Sequence, residues 1–341
     1  TGLNIGPNAL KALRLHMPDR HAALREASLP WMRWNVELTD GTPLLDIDML
    51  SVAEEPGVRI RWSELYRLLR APLADCTRYG QVLEAMEEDA AGRLVPVFRN
   101  ADGLMRDGGF DLLVGADGRY SRLRALTAGE PESTPLGVCI WRLLVTEADD
   151  CPYDDYGQWF RGNARLLSFR VPGGAVYVAG TFPLGGDGQI PEAMKTAAAQ
   201  RALFTPDGAA PSPAVAWMLD KIDAHLADIH WARSATSPML RHAAEGRALF
   251  LGDAAQAMVP TLGQGATQAV ECGVLAGQVL RQGGGVEDIA AIRDPRVEFV
   301  RDFSWEASDT LVPPCDVVAG TRAKAEAPFQ ARLRRLYTEV G

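Results

Sequence analysis

One stretch of the 341-residue sequence sets the fold, Ala248-Leu-Phe-Leu-Gly-Asp-Ala-Ala-Gln-Ala-Met-Val-Pro-Thr-Leu-Gly-Gln-Gly-Ala-Thr-Gln-Ala-Val-Glu271. It begins with an apolar run, Ala248 to Leu251, which predicts a buried strand. Gly252 and Asp253 end that strand and leave a carboxylate at its tip. Pro260 to Gly265 predict a loop, because proline and glycine interrupt regular structure. A helix is expected to follow the loop.

The start of this helix, expected near Gly265 with an end near Arg281, suits a polar ligand. A helix N-terminus offers N–H donors without intrahelical partners and a partial positive charge. Gly263 and Gly265 lack side chains, so a ligand can approach the backbone closely. Asp253 can accept hydrogen bonds from sugar-like hydroxyls. The pattern indicates a ligand that is a polyol in one part and electron-accepting in another. It equally fits a strand–loop–helix connection whose glycines serve packing alone.

Composition excludes several classes of function. The chain has 35 Lys and Arg against 44 Asp and Glu, a net charge of −9, which argues against nucleic acid or an anionic membrane as the main partner. No apolar run approaches the ~20 residues of a membrane span. The five cysteines are scattered and form no CxxC pair, so neither a disulfide framework nor a metal site is expected. We expect a cytoplasmic monomer or homodimer.

A second informative segment runs from Phe110 to Arg124. Leu112 to Val114 predict a strand that leads into Gly115-Ala-Asp-Gly118, and Ser121 is expected to cap a short helix. A carboxylate, here Asp117, at the end of a strand and before a helix start is the layout of a nucleotide crevice in an α/β sheet. The alternative is a tight Asp-Gly turn without a ligand.

The pattern changes between these two motifs. The segments Gly137 to Val145 and Arg165 to Pro183 alternate and are rich in β-branched and aromatic residues, which predicts an antiparallel sheet. The tail after Val286 is expected to be helical, with an interruption at Pro313-Pro314. The predicted fold class is therefore α/β, a Rossmann-like domain interrupted by an antiparallel β-sheet domain and followed by a C-terminal helical tail.

Taken together, the two motifs resemble those of a known family. Gly115 to Arg124 resembles the DG motif of the flavin-dependent aromatic hydroxylases, the class A flavoprotein monooxygenases with the p-hydroxybenzoate hydroxylase fold. Gly252 to Ala255, continued by Pro260 to Thr267, resembles the family's GD motif. Thr1 to Leu10 is similar to the loop and helix that follow the family's second strand. The separation of the motifs also matches, and the resemblance covers nearly the whole chain.

The resemblance implies a division of the chain into an FAD-binding domain, a substrate domain and a tail. Residues 1–134 and 236–285 would form the FAD-binding domain, residues 135–235 the β-sheet substrate domain, and residues 286–341 the C-terminal helices. The family's first strand and its GxGxxG turn, which bind the FAD pyrophosphate, are absent from this sequence, and we expect them upstream of Thr1.

The sequence departs from the family pattern at three further positions. Gln256 stands where the family usually has His, and Trp62 stands where it often carries an Arg that touches the cofactor. Cys272 replaces a frequent Asp.

The resemblance implies a monooxygenase that uses FAD, NADH or NADPH, and O2. It would hydroxylate a small electron-rich aromatic or N-heteroaromatic compound through a flavin C4a-hydroperoxide, with the chemistry carried by the cofactor. A flavin epoxidase or halogenase of the same fold and an FAD-fold pseudoenzyme are the alternatives. Trp31-Met-Arg-Trp34 is spaced one residue too wide for the halogenase WxWxIP signature, which argues against that version.

The resemblance also assigns residues to the site. Asp253 would bind the ribityl hydroxyls, Pro260 would line the ring where oxygen reacts, Asp117 would support the crevice, and the backbone around Val82 would lie near the adenine. The backbone that faces the isoalloxazine would be that of Gly263, Gln264, Gly265, Ala266 and Thr267. Candidate substrate contacts between the flavin and the sheet, each of which could instead be ordinary core packing, are Trp141, Tyr177, Phe182 and Met258.

Overall fold

The computed structural model describes all residues from 1 to 341. Ten α-helices are present. They are α1 (Pro7–His16), α2 (Pro18–Glu26), α3 (Trp62–Arg70), α4 (Arg122–Ala128), α5 (Ala197–Phe204), α6 (Pro213–Ala224), α7 (Gln264–Arg281), α8 (Val286–Glu306), α9 (Val317–Ala323) and α10 (Ala327–Thr338).

Sixteen strands form four sheets. They are β1 (Gly2–Ile5), β2 (Leu29–Trp31), β3 (Arg33–Leu38), β4 (Pro43–Asp48), β5 (Gly57–Arg61), β6 (Val82–Glu88), β7 (Leu94–Asn100), β8 (Gly103–Arg106), β9 (Leu113–Gly115), β10 (Thr134–Val145), β11 (Tyr156–Arg161), β12 (Ala164–Arg170), β13 (Val176–Pro183), β14 (His230–Thr236), β15 (His242–Ala243) and β16 (Ala248–Phe250).

The largest sheet has seven strands in the order β14-β10-β13-β12-β11-β3-β4. Its pairs are antiparallel except for β11 and β3, which run parallel with Tyr156 opposite Trp34. The sheet therefore takes strands from both sides of residue 134, because the β3–β4 hairpin extends it at one edge. The division into domains at residues 134 and 235 stays a prediction.

The α/β part contains the two sequence motifs side by side. Strands β9 and β16 pair in parallel, with Phe250 opposite Gly115. A helix follows each strand, α4 after β9 and α7 after β16. Both motifs thus lie at the carboxyl ends of neighbouring strands, where ligands bind in open α/β sheets. The predicted fold class, with its antiparallel sheet and its helical tail, is confirmed.

The first residues of the chain correct the sequence interpretation. Gly2–Ile5 forms a strand rather than a loop, because it pairs antiparallel with β5 in a small sheet. The expected helix does follow, beginning at Pro7. The interruption expected in the C-terminal tail at Pro313-Pro314 is also confirmed, since these residues lie between α8 and α9.

Two separate cores cover the two faces of the seven-stranded sheet. One face packs on α5 and α6 around Trp141, Phe204 and Trp217. The other face contributes Tyr156 and other side chains to a core completed by the C-terminal helices. Each buried large apolar side chain stabilises the fold by roughly 1.5–3 kcal/mol. Every helix is too short or too polar to cross a membrane.

Candidate functional site

The start of α7 has an unusual backbone that the glycines make possible. Gly252 and Gly263 have positive φ angles of 56° and 64°, a region that side chains disfavour. A Cβ at Gly252 would also lie 3.0 Å from the Cβ of Ala269. Gly263 is the N-cap of α7 and no side chain caps this helix, so its first N–H groups have no intrahelical partner. A Cβ on Gly265 would meet only Asp253 Oδ1, at 3.9 Å.

Asp253 lies opposite this helix start. Its carboxylate is open to the cavity described below and accepts no hydrogen bond from the protein. Burial among the surrounding residues raises the pKa of the carboxyl, and the nearby Arg119 partly opposes that shift. A carboxyl group with a raised pKa and no hydrogen-bond partner in the protein is typical of a group that contacts a ligand rather than one that stabilises the fold.

Asp117 has a different role from Asp253. One of its oxygens accepts hydrogen bonds from the backbone N–H groups of Arg122, at 2.7 Å, and Leu123, at 3.2 Å. Ser121 caps the same helix through the N–H of Arg124 at 3.1 Å, as expected. Asp117 does not line the cavity. The carboxylate thus fixes the start of α4, and its predicted support of a ligand crevice stays a prediction.

Arg124 links the two motifs, which the sequence interpretation did not identify. Its guanidinium donates to the carbonyl oxygens of Ala254 at 3.1 Å, Ala255 at 2.8 Å and Pro238 at 2.8 Å. The side chain is buried. Through Arg124, helix α4 therefore holds in place the loop after β16, and this loop carries Asp253.

A cavity of about 1020 Å³ separates the start of α7 from the seven-stranded sheet. It is large enough for a ligand of the size that protein clefts commonly bind. Seven of the residues assigned from the sequence line it, and they are Tyr177, Asp253, Met258, Pro260, Gly263, Gly265 and Ala266.

Six assigned residues do not line the cavity. Asp117 caps α4, and Val82 is 60% exposed on the separate β6-β7-β8 sheet. Gln264 and Thr267 are fully buried behind the helix start. Thr267 Oγ1 accepts the N–H of Gly6 at 2.9 Å. The other two, Trp141 and Phe182, belong to the opposite face of the sheet.

The place of Trp141 and Phe182 follows from strand alternation. Trp141 is fully buried against α5, and its Nε1 donates to Gln200 Oε1 at 2.9 Å. Gly180 leaves room for the indole, since a Cβ there would lie 2.2 Å from it. Phe182 packs in the same core. The structure thus does not bring either ring to the cavity that their neighbours Arg142 and Thr181 line.

The cavity wall on the sheet side is aromatic. Trp31 and Tyr156 have ring centroids 5.4 Å apart, Tyr156 and Phe169 stack at 6.0 Å, and Phe169 and Tyr177 lie 4.8 Å apart. Burial raises the pKa of Tyr177 to about 12, although the nearby Arg142 acts to lower it. The phenol therefore stays protonated near neutral pH and can donate a hydrogen bond.

Arg165 is the least expected member of this wall. It lies on β12 opposite Thr181 and is buried. Its one hydrogen bond is a long contact of 3.5 Å to Gln158 Oε1, and its Nε has no partner. Burial lowers its pKa, and the two neighbouring tyrosines oppose this. A buried guanidinium without a carboxylate is costly, so the side chain is suited to an anionic or carbonyl ligand.

Unpaired polar groups are concentrated in this cavity. Four arginines line it, and none of them takes part in an ion pair. They are Arg119, Arg142, Arg165 and Arg233. Buried polar atoms without a partner occur on cavity-lining side chains that comprise Asn4, Trp34, Arg165, Thr181 and Ser234. Because buried polar groups are normally hydrogen-bonded, this wall is suited to a polar, negatively charged ligand.

A buried charge network fixes α7 from behind. Glu271 is fully buried and accepts hydrogen bonds from Asn8 Nδ2 at 2.6 Å and from Arg293 at 2.6 Å. Asn8 also donates to Gln264 Oε1 at 3.2 Å. Arg293 in turn donates to Gln268 Oε1 at 2.7 Å. The network joins α1, α7 and α8 and holds the first residue of α7 in place.

Comparison with known proteins places this geometry in context. No family model matches the chain. It is 26% identical to the 2-heptyl-3-hydroxy-4(1H)-quinolone synthase of Pseudomonas aeruginosa, over 98% of this chain and 82% of that protein. It is 30% identical to the FAD-dependent urate hydroxylase of Klebsiella pneumoniae, over 76% of this chain and 64% of that protein.

A solved structure agrees with these relatives. Klebsiella pneumoniae HpxO complexed with FAD and uric acid superimposes with a TM-score of 0.81 at 22% identity, over 98% of this chain and 87% of that one. The relatives and the structural neighbours are FAD-dependent aromatic hydroxylases, as the motifs predicted. The chain is therefore a homologue of the FAD-dependent aromatic hydroxylases and has their fold.

Proposed function

We propose that this protein is an FAD- and NAD(P)H-dependent monooxygenase that hydroxylates a small electron-rich aromatic or N-heteroaromatic compound. The observation that carries the proposal is the cavity itself. One side of it presents an uncapped helix start and the unpaired carboxylate of Asp253, and the other presents aromatic rings and unpaired arginines. The relatives, which are flavin-dependent monooxygenases, support the same reaction class.

The residues present are suited to FAD. Asp253 would accept hydrogen bonds from the ribityl hydroxyls. Because Gly265 has no side chain, the ligand would have room to pass between α7 and Asp253. The N–H groups from Gly263 to Thr267 would stabilise negative charge on the ring, as preorganised donors do. Pro260 would lie against the ring. When bound, FAD supplies the redox chemistry that activates dioxygen.

The sheet side of the cavity would bind the substrate. Tyr156, Phe169 and Tyr177 offer flat apolar contact to an aromatic ring and exclude water from it. Arg165 would pair with an anionic or carbonyl oxygen of that ring, and the protonated Tyr177 could donate a second hydrogen bond. A ring-bound oxygen held as an anion makes the ring more electron-rich, which favours attack by an electrophilic oxygen. Met258 is a further contact on the opposite side.

Three finer assignments belong to the proposal. The co-substrates would be O2 and NADH or NADPH, and the protein would act in the cytoplasm, where its five free cysteines would stay reduced. We also keep the prediction of a monomer or homodimer.

The test has two parts. Purified protein is titrated with FAD and followed by visible absorbance, and NADH or NADPH consumption is then measured with a panel of hydroxylated benzoates, pyridines, purines and quinolones. We expect bound flavin and NAD(P)H consumption stimulated by one class, with labelled dioxygen incorporated into the product. Failure to take up FAD would identify a flavin-free pseudoenzyme. Consumption without an oxygenated product would identify an oxidase.

A further inference from the structure

A second and much smaller cavity adjoins the large one. Its volume is about 10 Å³, and roughly 10–15 Å³ is what one water-sized particle needs. Strands β3, β11 and β12 form one side of it, and residues 307–324 form the other. Trp34, Arg165 and Thr261 border both cavities. This small cavity can therefore hold a single small ion, but it is too small for a ring or a carboxyl group.

Three donor groups without a partner lie in the wall of the small cavity. They are Nε1 of Trp34, Nε of Arg165 and Oγ1 of Thr321, and their residues are only 6%, 4% and 2% exposed. An indole N–H and a guanidinium N–H can only donate, and a threonine hydroxyl can donate as well. Because buried donors normally have an acceptor, this wall favours an acceptor inside the small cavity.

The charge of the same wall is positive. Arg165 and Lys324 line the small cavity, and no Asp or Glu does. Lys324 Nζ donates to Asp309 Oδ1 at 2.9 Å, but the side chain of Asp309 is 53% exposed to solvent. Burial lowers the pKa of Lys324, Asp309 opposes this shift, and Arg165 acts in the same direction as burial.

The last effect shows that the two cations are close enough to repel each other. A neutral water in the small cavity would accept hydrogen bonds and leave that repulsion in place. An anion accepts the same hydrogen bonds and also removes the repulsion, since opposite charges attract most strongly away from bulk water. Both the donors and the charge of the wall therefore favour an anion.

We propose that the small cavity binds a small monovalent inorganic anion, such as chloride. The anion accepts hydrogen bonds from Trp34, Arg165 and Thr321 and links α9 to the seven-stranded sheet. It gives Arg165 a counterion, so this guanidinium is unpaired only in chloride-free buffer. A guanidinium has five N–H donors, so Arg165 can contact the anion and a ligand in the large cavity together.

The experiment is urea unfolding at constant ionic strength, with chloride replacing gluconate, which is too large for the small cavity. A ligand that binds only the folded protein raises its stability as the ligand concentration rises. The unfolding midpoint of the wild-type protein should therefore rise with chloride and with bromide, and the chloride Kd follows from the concentration dependence. The measurement needs neither flavin nor turnover, so its outcome is independent of the proposed function.

Two variants each remove one donor and little else. Trp34→Phe keeps an aromatic ring, and Thr321→Val keeps the shape of the side chain. Each should raise the chloride Kd by about 10- to 150-fold, as the loss of one hydrogen bond to a charged group does. The matched control is Trp217→Phe, which removes a buried indole N–H without a partner from the core on the opposite face of the sheet. Its response to chloride should equal that of the wild type.

Crystals grown with bromide locate the ion through its anomalous scattering. We expect a peak between Trp34, Arg165 and Thr321. Equal midpoints of the wild type in chloride and in gluconate, or the same chloride response in wild type, Trp34→Phe and Thr321→Val, would overturn the proposal. So would the absence of a bromide peak from the small cavity. A variant that is destabilised by lost packing stays informative, because its midpoint in chloride is compared with its own midpoint in gluconate.

Discussion

The two faces of the seven-stranded sheet are built for different purposes. On the face toward α5 and α6, Trp141 is fully buried and its one polar atom is hydrogen-bonded. On the face toward the cavity, Arg165 and Thr181 carry buried polar atoms without partners. On the first face the indole of Trp141 gains packing energy and its polar atom is satisfied. The second bears unpaired polar groups that a ligand can satisfy. Because successive side chains of a strand point to opposite faces, alternate residues of one strand can stabilise the core and bind a ligand.

The largest expected effect tests the stabilising face. Trp141→Ala removes a fully buried indole, and such substitutions reduce the free energy of unfolding by about 3–5 kcal/mol. Urea unfolding followed by circular dichroism measures the loss. If the variant were as stable as wild type, the assignment of this face to the core would be wrong. The matched comparison is Ile140→Ala, at a residue that is 7% exposed on the other face of the same strand. It should reduce the free energy of unfolding by less, because Ile140 borders the cavity and makes fewer packing contacts than Trp141.

Arg165→Met tests the binding face. A hydrogen bond to a charged group contributes about 1.5–3 kcal/mol, so kcat/KM for the aromatic substrate should fall by roughly 10- to 150-fold. The free energy of unfolding should be unchanged or higher, since an unpaired buried charge is replaced by an apolar side chain. Arg161→Met is the control, because Arg161 pairs with Asp207 away from the cavity. Loss of stability together with unchanged kcat/KM would reverse the comparison between the faces.

Asp253→Asn tests the wall of the cavity at the start of α7, opposite the seven-stranded sheet. The neutral amide should weaken FAD binding by about tenfold, because charged acceptors form the stronger hydrogen bonds. In the free protein, burial raises the folded-state pKa of Asp253, so the ionised carboxylate destabilises the fold above that pKa and this cost disappears as pH falls through it. The variant should therefore be more stable than wild type at neutral pH, and the difference should vanish in acid.

Fluorescence titration with FAD and urea unfolding at several pH values measure both effects of Asp253→Asn. An unchanged FAD affinity would remove Asp253 from the binding site. A stability gain that persisted in acid would show that the carboxylate charge is not its cause.

Tyr177→Phe is expected to have the smallest effect. It removes one neutral donor from the cavity wall and should lower kcat/KM by about 2- to 10-fold. Because burial raises the pKa of Tyr177 to about 12, its ionisation should not appear in the pH–rate profile near neutral pH. A bell-shaped profile that lost one limb in this variant would contradict the assignment of a neutral phenol.

The parts of the site that the sequence predicted are those set by local backbone chemistry. The strand before Gly252, the helix after Gly263 and the cap at Ser121 were predicted because each rests on a few adjacent residues. The position of both motifs at strand ends was also predicted, but the direct pairing of β9 with β16 was not.

The parts that the sequence did not predict depend on contacts between distant residues. Both faces of β10 and β13 are buried, so alternation alone did not show that Arg142 faces the cavity while Trp141 faces α5. Arg165 was not identified because an arginine on a strand is normally a surface residue. The hydrogen bonds of Arg124 to residues more than a hundred positions away are equally hidden in the sequence.

The measurement that tests the central account most directly is FAD binding by wild type and Gly265→Leu. A side chain at this position would point into the open space beside Asp253 and should not reduce stability, because leucine favours a helix over glycine by up to ~1 kcal/mol. We predict that the wild-type protein binds FAD, whereas Gly265→Leu fails to bind it and unfolds at the same or a higher urea concentration. Equal FAD affinity of the two proteins would contradict the location of the flavin between α7 and the seven-stranded sheet.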